Sequence, residues 1–291
     1  MKTIRLTALF GLLLILPFMA MAEDVSETRA VAADGNVSVS NIAGEIIITV
    51  WDKNEAQLTG TLGTNLRLEI TENSNGVRFD VIHIEDSDEY DESDLELVVP
   101  RNASIVADGV SSDISIEGSS GASVTAESVS GDVEVSATVA RAEFSTVSGD
   151  LDFEGTASRV SAETVSGDIE IEGVSGEISM STVSGDVELL AGAVSQGKFE
   201  TVSGSLDLSL SVADGGRLTV EGMNGDVVLL LPASQSGEIN AQTFSGDIDS
   251  DFGTTKSESF GPGSHLKHLS GDSGSSIRVE TFSGDIHIGH K

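Results

Sequence analysis

The chain has 291 residues, with 48 Asp and Glu against 15 Lys and Arg and a formal charge of −33. That balance argues against nucleic acid or an anionic membrane surface as partner, because phosphate binding needs clustered cations. There is no cysteine, which removes disulfides, thiolate metal sites and lipid attachment at a mature N-terminal cysteine. Acidity with only 4% aromatic residues can signal disorder, but Val, Ile and Leu alternate with polar residues throughout, and alternation is the mark of strands.

Residues 1–22 read as a secretory signal: Lys2 and Arg5, an apolar run over 6–18, and Ala20-Met21-Ala22 before Glu23. The run is shorter than the roughly 20 residues of a spanning helix. Export and cleavage after Ala22 are therefore expected, without membrane insertion, into the periplasm or onto the cell surface. A mature chain of 269 residues (291 − 22) would carry a charge of about −35 once Lys2 and Arg5 are gone. Residues 23–103 are expected to form an irregular N-terminal β cap. Its strands lie near 37–39 and 44–51 around a turn at 41–44, then at 57–61, 66–71, 77–84 and 95–100. The acidic stretch 85–94 could offer oxygen ligands to calcium, but it lacks the glycine of an EF-hand loop, and a solvated loop is the preferred reading.

From residue 104 onward the chain repeats itself. Thr164-Val165-Ser166-Gly167-Asp168-Ile169 recurs as Thr182-Val183-Ser184-Gly185-Asp186-Val187, and related words surround Gly131, Gly149, Gly204, Gly225, Gly246 and Gly284. Gly131, Gly149, Gly167 and Gly185 are 18 apart; the next steps are 19, 21 and 21, and the last is 38. An insertion is expected at 252–276. A constant period near 20 marks a solenoid, whose units bury apolar faces by stacking on one another. The fold class expected is all-β, a parallel β-solenoid (β-helix) of about 18–21 residues per coil over 104–291. An antiparallel meander is the competing topology, since Ser-Gly between apolar runs is also a hairpin signal.

Strand alternation predicts that Val147, Leu151 and Phe153 point inward while Thr146, Ser148, Asp152 and Glu154 face water. The motif glycine stands between inward positions, where a side chain would crowd the bend or the backbone needs positive φ.

Stacking would align like residues in rows. One row holds Asp132, Asp150, Asp168 and Asp186, continued by Asp226, Asp247 and Asp285, and a second holds Glu134, Asp152, Glu170, Glu188 and Asp207. Neighbouring charges about 4.8 Å apart repel by roughly 0.9 kcal/mol in water. Such rows splay into solvent, accept turn N–H bonds or recruit divalent cations; the first two are preferred, and Ca2+ is the cofactor the third would imply. The Thr and Ser rows would more readily satisfy one another than order ice. His265, His268, His287 and His290 form two His-x-x-His pairs near the C-terminus. They could hold zinc if the fold gathered them, against the simpler reading of exposed polar residues.

The strand pair ending at residues 44–52, the Leu97-Val98-Val99-Pro100-Arg101-Asn102-Ala103 stretch and the serial Val-Ser-Gly-Asp coils resemble a bacterial putative-adhesin family with β-strand repeats. That family is a domain of unknown function, similar in plan to the head domain of autotransporter adhesins. The resemblance spans about 35–289 and implies a β-helix in an exported protein, with no catalytic residues assigned. The function expected is a non-enzymatic, adhesin-like or envelope-structural module with a cell-surface glycan or protein as partner. The alternative is a carbohydrate-active β-helix enzyme, a lyase or hydrolase, which would need a groove with a unique carboxylate pair and aromatic rings for stacking. One Trp, one Tyr and scattered cations count against it.

Overall fold

The computed structural model describes residues 23–84, 91–257, 263–272 and 274–291. The expected signal over 1–22 and most of the acidic loop, including Tyr90, lie outside the described residues. All regular structure among those described is strand. The N-terminal part holds β1 (Glu23–Ala30), β2 (Asn36–Trp51), β3 (Glu55–Leu62), β4 (Leu66–Asn73), β5 (Gly76–His83) and β6 (Ser93–Pro100). The regular part holds β7 (Ser104–Ser119), β8 (Ser123–Glu127), β9 (Val133–Ser145), β10 (Leu151–Glu163), β11 (Ile169–Thr182), β12 (Val187–Ser203) and β13 (Leu206–Asn224). The C-terminal part holds β14 (Val227–Leu231), β15 (Gly237–Ser245), β16 (Ile248–Ser250), β17 (Lys256–Ser257), β18 (Ser264–Ser270), β19 (Ser276–Ser283) and β20 (Ile286–His290).

The regular part winds as a parallel solenoid, not a meander. Leu151 lies beside Val133 on one side and Ile169 on the other, and Phe153 lies between Val135 and Ile171. Each coil has two straight runs, one after the motif glycine and one before the next, joined by two bends. The two runs close on one another, as shown by the rings of Phe144 and Phe153, which sit 5.5 Å apart across the interior. The Val, Ile, Leu and Phe residues of both runs form one continuous buried core. Burying each is worth about 1.5–3 kcal/mol, so a narrow interior suffices when it is long. Runs after the glycine make the first face of the solenoid and runs before it make the second. Longer coils absorb their extra residues at the bend away from the motif, where register slips between Glu172 and Glu177 and again between Leu190 and Gln196.

At both ends the stacking order departs from the chain order. The word around Gly284 does not follow that around Gly246; it lies between those of Gly225 and Gly246. β19 pairs with β13 and with β15, while β20 pairs with β14 and with β16, all in parallel. The last coil of the chain is thus an interior coil of the stack. The N-terminal end mirrors this: β2, first of the parallel strands, is sandwiched between β5–β6 and β7. The expectation that successive windings lie directly over one another holds over the middle and fails at the ends. Because every coil offers nearly the same edge, the repeat word does not specify which coil docks on which. The outer edges are closed by antiparallel strands, β1 on β3 and β3 on β6, β4 on β5, and β18 on the outer side of β15. Such endings blunt edges that would otherwise recruit further strands.

Candidate functional site

The recurrent corner is built from one buried hydroxyl and one glycine. Thr164 Oγ1 accepts the Gly167 N–H at 3.1 Å and donates to the Gly149 carbonyl of the preceding coil at 3.4 Å. Thr146 does the same with Gly149 and Gly131, and Ser128 with Gly131 and Ser112. The glycines are required by close approach: a Cβ on Gly149 would lie 2.0 Å from the Gly131 oxygen, and one on Gly167 1.8 Å from the Gly149 oxygen. At the motif glycines Gly131, Gly149, Gly167, Gly185, Gly204 and Gly225 φ is not positive, so crowding alone decides the residue.

This corner reverses part of the alternation expected from sequence. Leu151 and Phe153 are buried as expected, but Thr146 is 3% exposed and Val147 is 43% exposed. In the corners of Ser128, Thr146 and Thr164 the inward hydroxyl satisfies the glycine N–H within the turn, and the valine is carried outward with the bend. The signal that would have found it is the Thr or Ser three residues before every motif glycine from Gly131 to Gly204, the spacing at which a side-chain oxygen reaches a turn N–H.

The consequence is a ladder of exposed apolar side chains along one edge. Val110, Val129, Val147, Val165, Val183, Val202, Met223, Phe282 and Phe244 occupy the same corner position in successive coils, each 40–57% exposed. Their register is fixed by backbone bonds such as Ser148 N–H to the Val129 carbonyl and Ser166 N–H to the Val147 carbonyl. It continues through Ser203 beside Asn224, Asn224 beside Ser283 and Ser283 beside Ser245. The ladder ends in an aromatic pair, the Phe244 and Phe282 rings stacked at 4.9 Å and 10°.

Beside it runs the expected aspartate row. Asp132 Oδ1 accepts the Asp150 N–H at 2.9 Å, Asp150 that of Asp168 at 2.8 Å, Asp168 that of Asp186 at 2.8 Å, and Asp186 that of Ser205 at 2.6 Å. Past the change in stacking order the row reads Asp226, Asp285, Asp247. Each of these carboxylates that has a further coil beyond it therefore accepts an N–H of that coil. The second row, Glu134, Asp152, Glu170, Glu188 and Asp207, is also in direct register. At Glu170 no cation among the described residues relieves the repulsion: Asp152 above all, then loss of hydration, Glu188 and Glu172, raise its carboxyl above its usual 4.5.

The outward positions of the stacked strands on this first face carry no Lys or Arg among the described residues. The second face mixes signs. Arg159 bonds Glu177 of the next coil at 2.7 Å and holds that carboxyl below its usual range, while Lys198 meets Glu200 at 2.6 Å and Lys267 meets Glu238 at 2.7 Å. At its C-terminal end a shallow hollow of about 540 Å³ is lined by Asn240, Gln242, His265, Lys267, Arg278 and Glu280.

The four histidines separate. His265 faces that hollow, His287 Nδ1 lies 3.2 Å from Asp249, and His268 and His290 flank the Phe252 ring at 6.1 and 4.6 Å. Among the described residues no group of three or more His, Asp or Glu is arranged to hold a metal ion.

The fold is similar to that of the crystal structure of a putative adhesin from Parabacteroides distasonis ATCC 8503, with a TM-score of 0.53 and 11% identity over 92% of this chain and 98% of that one. A putative adhesin from Bacteroides fragilis NCTC 9343 has a TM-score of 0.49 and 12% identity over 94% and 99% of the two chains. A putative lipid binding protein from Parabacteroides distasonis has a TM-score of 0.49 and 12% identity over 90% and 96%. Among curated proteins none matches the chain. The model of the family described as Toastrack DUF4097 matches residues 36–289, nearly the whole of the solenoid, and the chain belongs to that family.

Proposed function

We propose that the protein is an exported, non-enzymatic binding module, adhesin-like or structural within the cell envelope, that engages its partner through repetition along the solenoid. One observation carries this reading: from coil to coil the same side chains return to the same outward positions, apolar at the corner and acidic beside it. A surface built this way offers many equivalent weak contacts, which multiply into avidity toward a repetitive partner. Catalysis instead wants one unlike constellation held in one place. The family membership and the likeness in fold to a protein described as a putative adhesin agree with this reading.

The test uses residues 23–291 in a glycan and whole-cell binding screen, with and without calcium, alongside assays for release of reducing ends or unsaturated products from polysaccharides. Saturable binding without turnover is expected. Catalytic release of sugar products would overturn the reading.

A further inference from the structure

We infer that the exposed corner ladder and the carboxylate rows beside it form one docking surface whose occupant is a cationic, amphipathic helical segment of a partner protein, laid along the solenoid axis. The inference rests on the binding-module reading and names the surface and the chemistry of its partner.

The apolar half comes from Val129, Val147, Val165, Val183, Val202 and Met223, which remain 40–53% exposed although the Thr or Ser before each valine is buried. Nine such positions in eight steps of about 4.8 Å make a strip of about 38 Å. Contiguous exposed apolar surface bordered by charge marks interaction sites.

Charge selects the occupant. Asp132, Asp150, Asp168 and Asp186 lie three residues beyond the valines in each coil, with Asp152, Glu170 and Glu188 outside them, and no Lys or Arg stands among them on that face. A second copy of the chain laid edge to edge would bring carboxylate rows together, and an anionic bilayer would be repelled. A partner with an apolar stripe flanked by Lys and Arg meets both halves and relieves the unpartnered repulsion along the outer row.

Spacing selects its conformation. A helix returns side chains to one face every 5.4 Å, close to the coil repeat, whereas an extended strand does so only every 6.6–6.8 Å. The helix slips by about 0.6 Å per turn against the ladder and is half a step out after about four turns, so segments of about 15 residues fit best.

The test measures binding of labelled 15-residue Leu/Lys helical peptides to residues 23–291 by fluorescence anisotropy. The comparisons are a Leu/Lys peptide of the same composition scrambled to destroy the stripe and a Leu/Glu peptide with the stripe intact. The striped Leu/Lys peptide should bind most tightly. The triple variant Val147→Ser, Val165→Ser and Val183→Ser should weaken it about tenfold or more. The variant Asp152→Asn, Glu170→Gln and Glu188→Gln should weaken it and flatten its salt dependence. Neutralising Glu143 and Glu177, which lie farther from the ladder on the second face and pair with Arg141 and Arg159, should not. Thermal melts of each variant show that the solenoid is intact.

Equal binding of striped and scrambled peptides, or no effect of the valine changes, would reduce the interaction to charge adsorption and overturn the proposal. So would a dimer of the unmodified chain in sedimentation that the valine changes abolish. If the valine variant still binds in the glycan and cell screen, this surface is wrong while the binding-module reading stands.

Discussion

The two faces of the solenoid share a backbone, a core and a register, yet they treat charge in opposite ways. On the second face cations stand among the outward carboxylates, so that Arg159 lies over Glu177 of the next coil and Lys198 meets Glu200 of its own strand. On the first face like sits on like, and Glu170 is flanked by Asp152 and Glu188. A parallel stack turns sequence identity into spatial adjacency, so repetition that is harmless for valine is unfavourable for glutamate. The aspartate row offsets this with N–H bonds to the next coil; the outer row has no such relief. An unrelieved acidic row is not what stability alone would favour, which is why it bears on function.

The comparison can be broken most severely by removing what both faces share. Truncation at Ser275 deletes β19 and β20 and so an interior coil, exposing the edges of β13, β14, β15 and β16 together. Loss of cooperative unfolding of the C-terminal third, read by hydrogen exchange, is expected, whereas deletion of a terminal coil would leave the remainder protected. Next in size is Phe153→Ala, which empties the contact between the two faces and should destabilise by about 3–4 kcal/mol in denaturant melts. Gly149→Ala forces a Cβ to within 2.0 Å of the Gly131 oxygen and should cost about 3 kcal/mol through displaced register. Gly192→Ala, whose Cβ meets nothing closer than 3.6 Å, should stay within about 0.5 kcal/mol.

A smaller effect sharpens the account of the corner. Thr164→Val loses both hydroxyl bonds and should destabilise by about 1–2 kcal/mol.

The smallest effects separate the faces by sign. Glu170 has a raised folded-state pKa, so its repulsion is present above that value and relieved as pH falls through it; this group makes stability rise on acidification. Glu177 has a lowered pKa, because Arg159 bonds its charged form, so its contribution is present above the unfolded value and lost as pH falls through the folded one. Melting temperatures from pH 7 to 3 should therefore show Glu170→Gln removing part of any acid-side gain and Glu177→Gln removing part of any acid-side loss. Identical shifts for both variants would refute the contrast.

Much of this was legible in the residues. The 18-residue spacing of Gly131, Gly149, Gly167 and Gly185 fixed which positions become neighbours, and with that the interior run through Leu151, Phe153, Ile169 and Ile171 and the alignment of both acidic rows. These follow from local periodicity, since identical units of equal length have one economical way to share hydrogen bonds. The candidate docking edge was not legible, because alternation counts residues along a straight strand, and Val147 stands where the strand bends around a buried threonine.

Nor could the repeat reveal that the coil of Gly284 slides between those of Gly225 and Gly246. By itself the sequence determined that the chain would wind, at what pitch, and which aliphatics would be enclosed, because these depend on contacts each unit makes with any copy of itself. Only the tertiary structure decided which copy lies next to which and what the corners expose. Those outcomes depend on where the chain turns back and on which edge is vacant when a distant segment arrives.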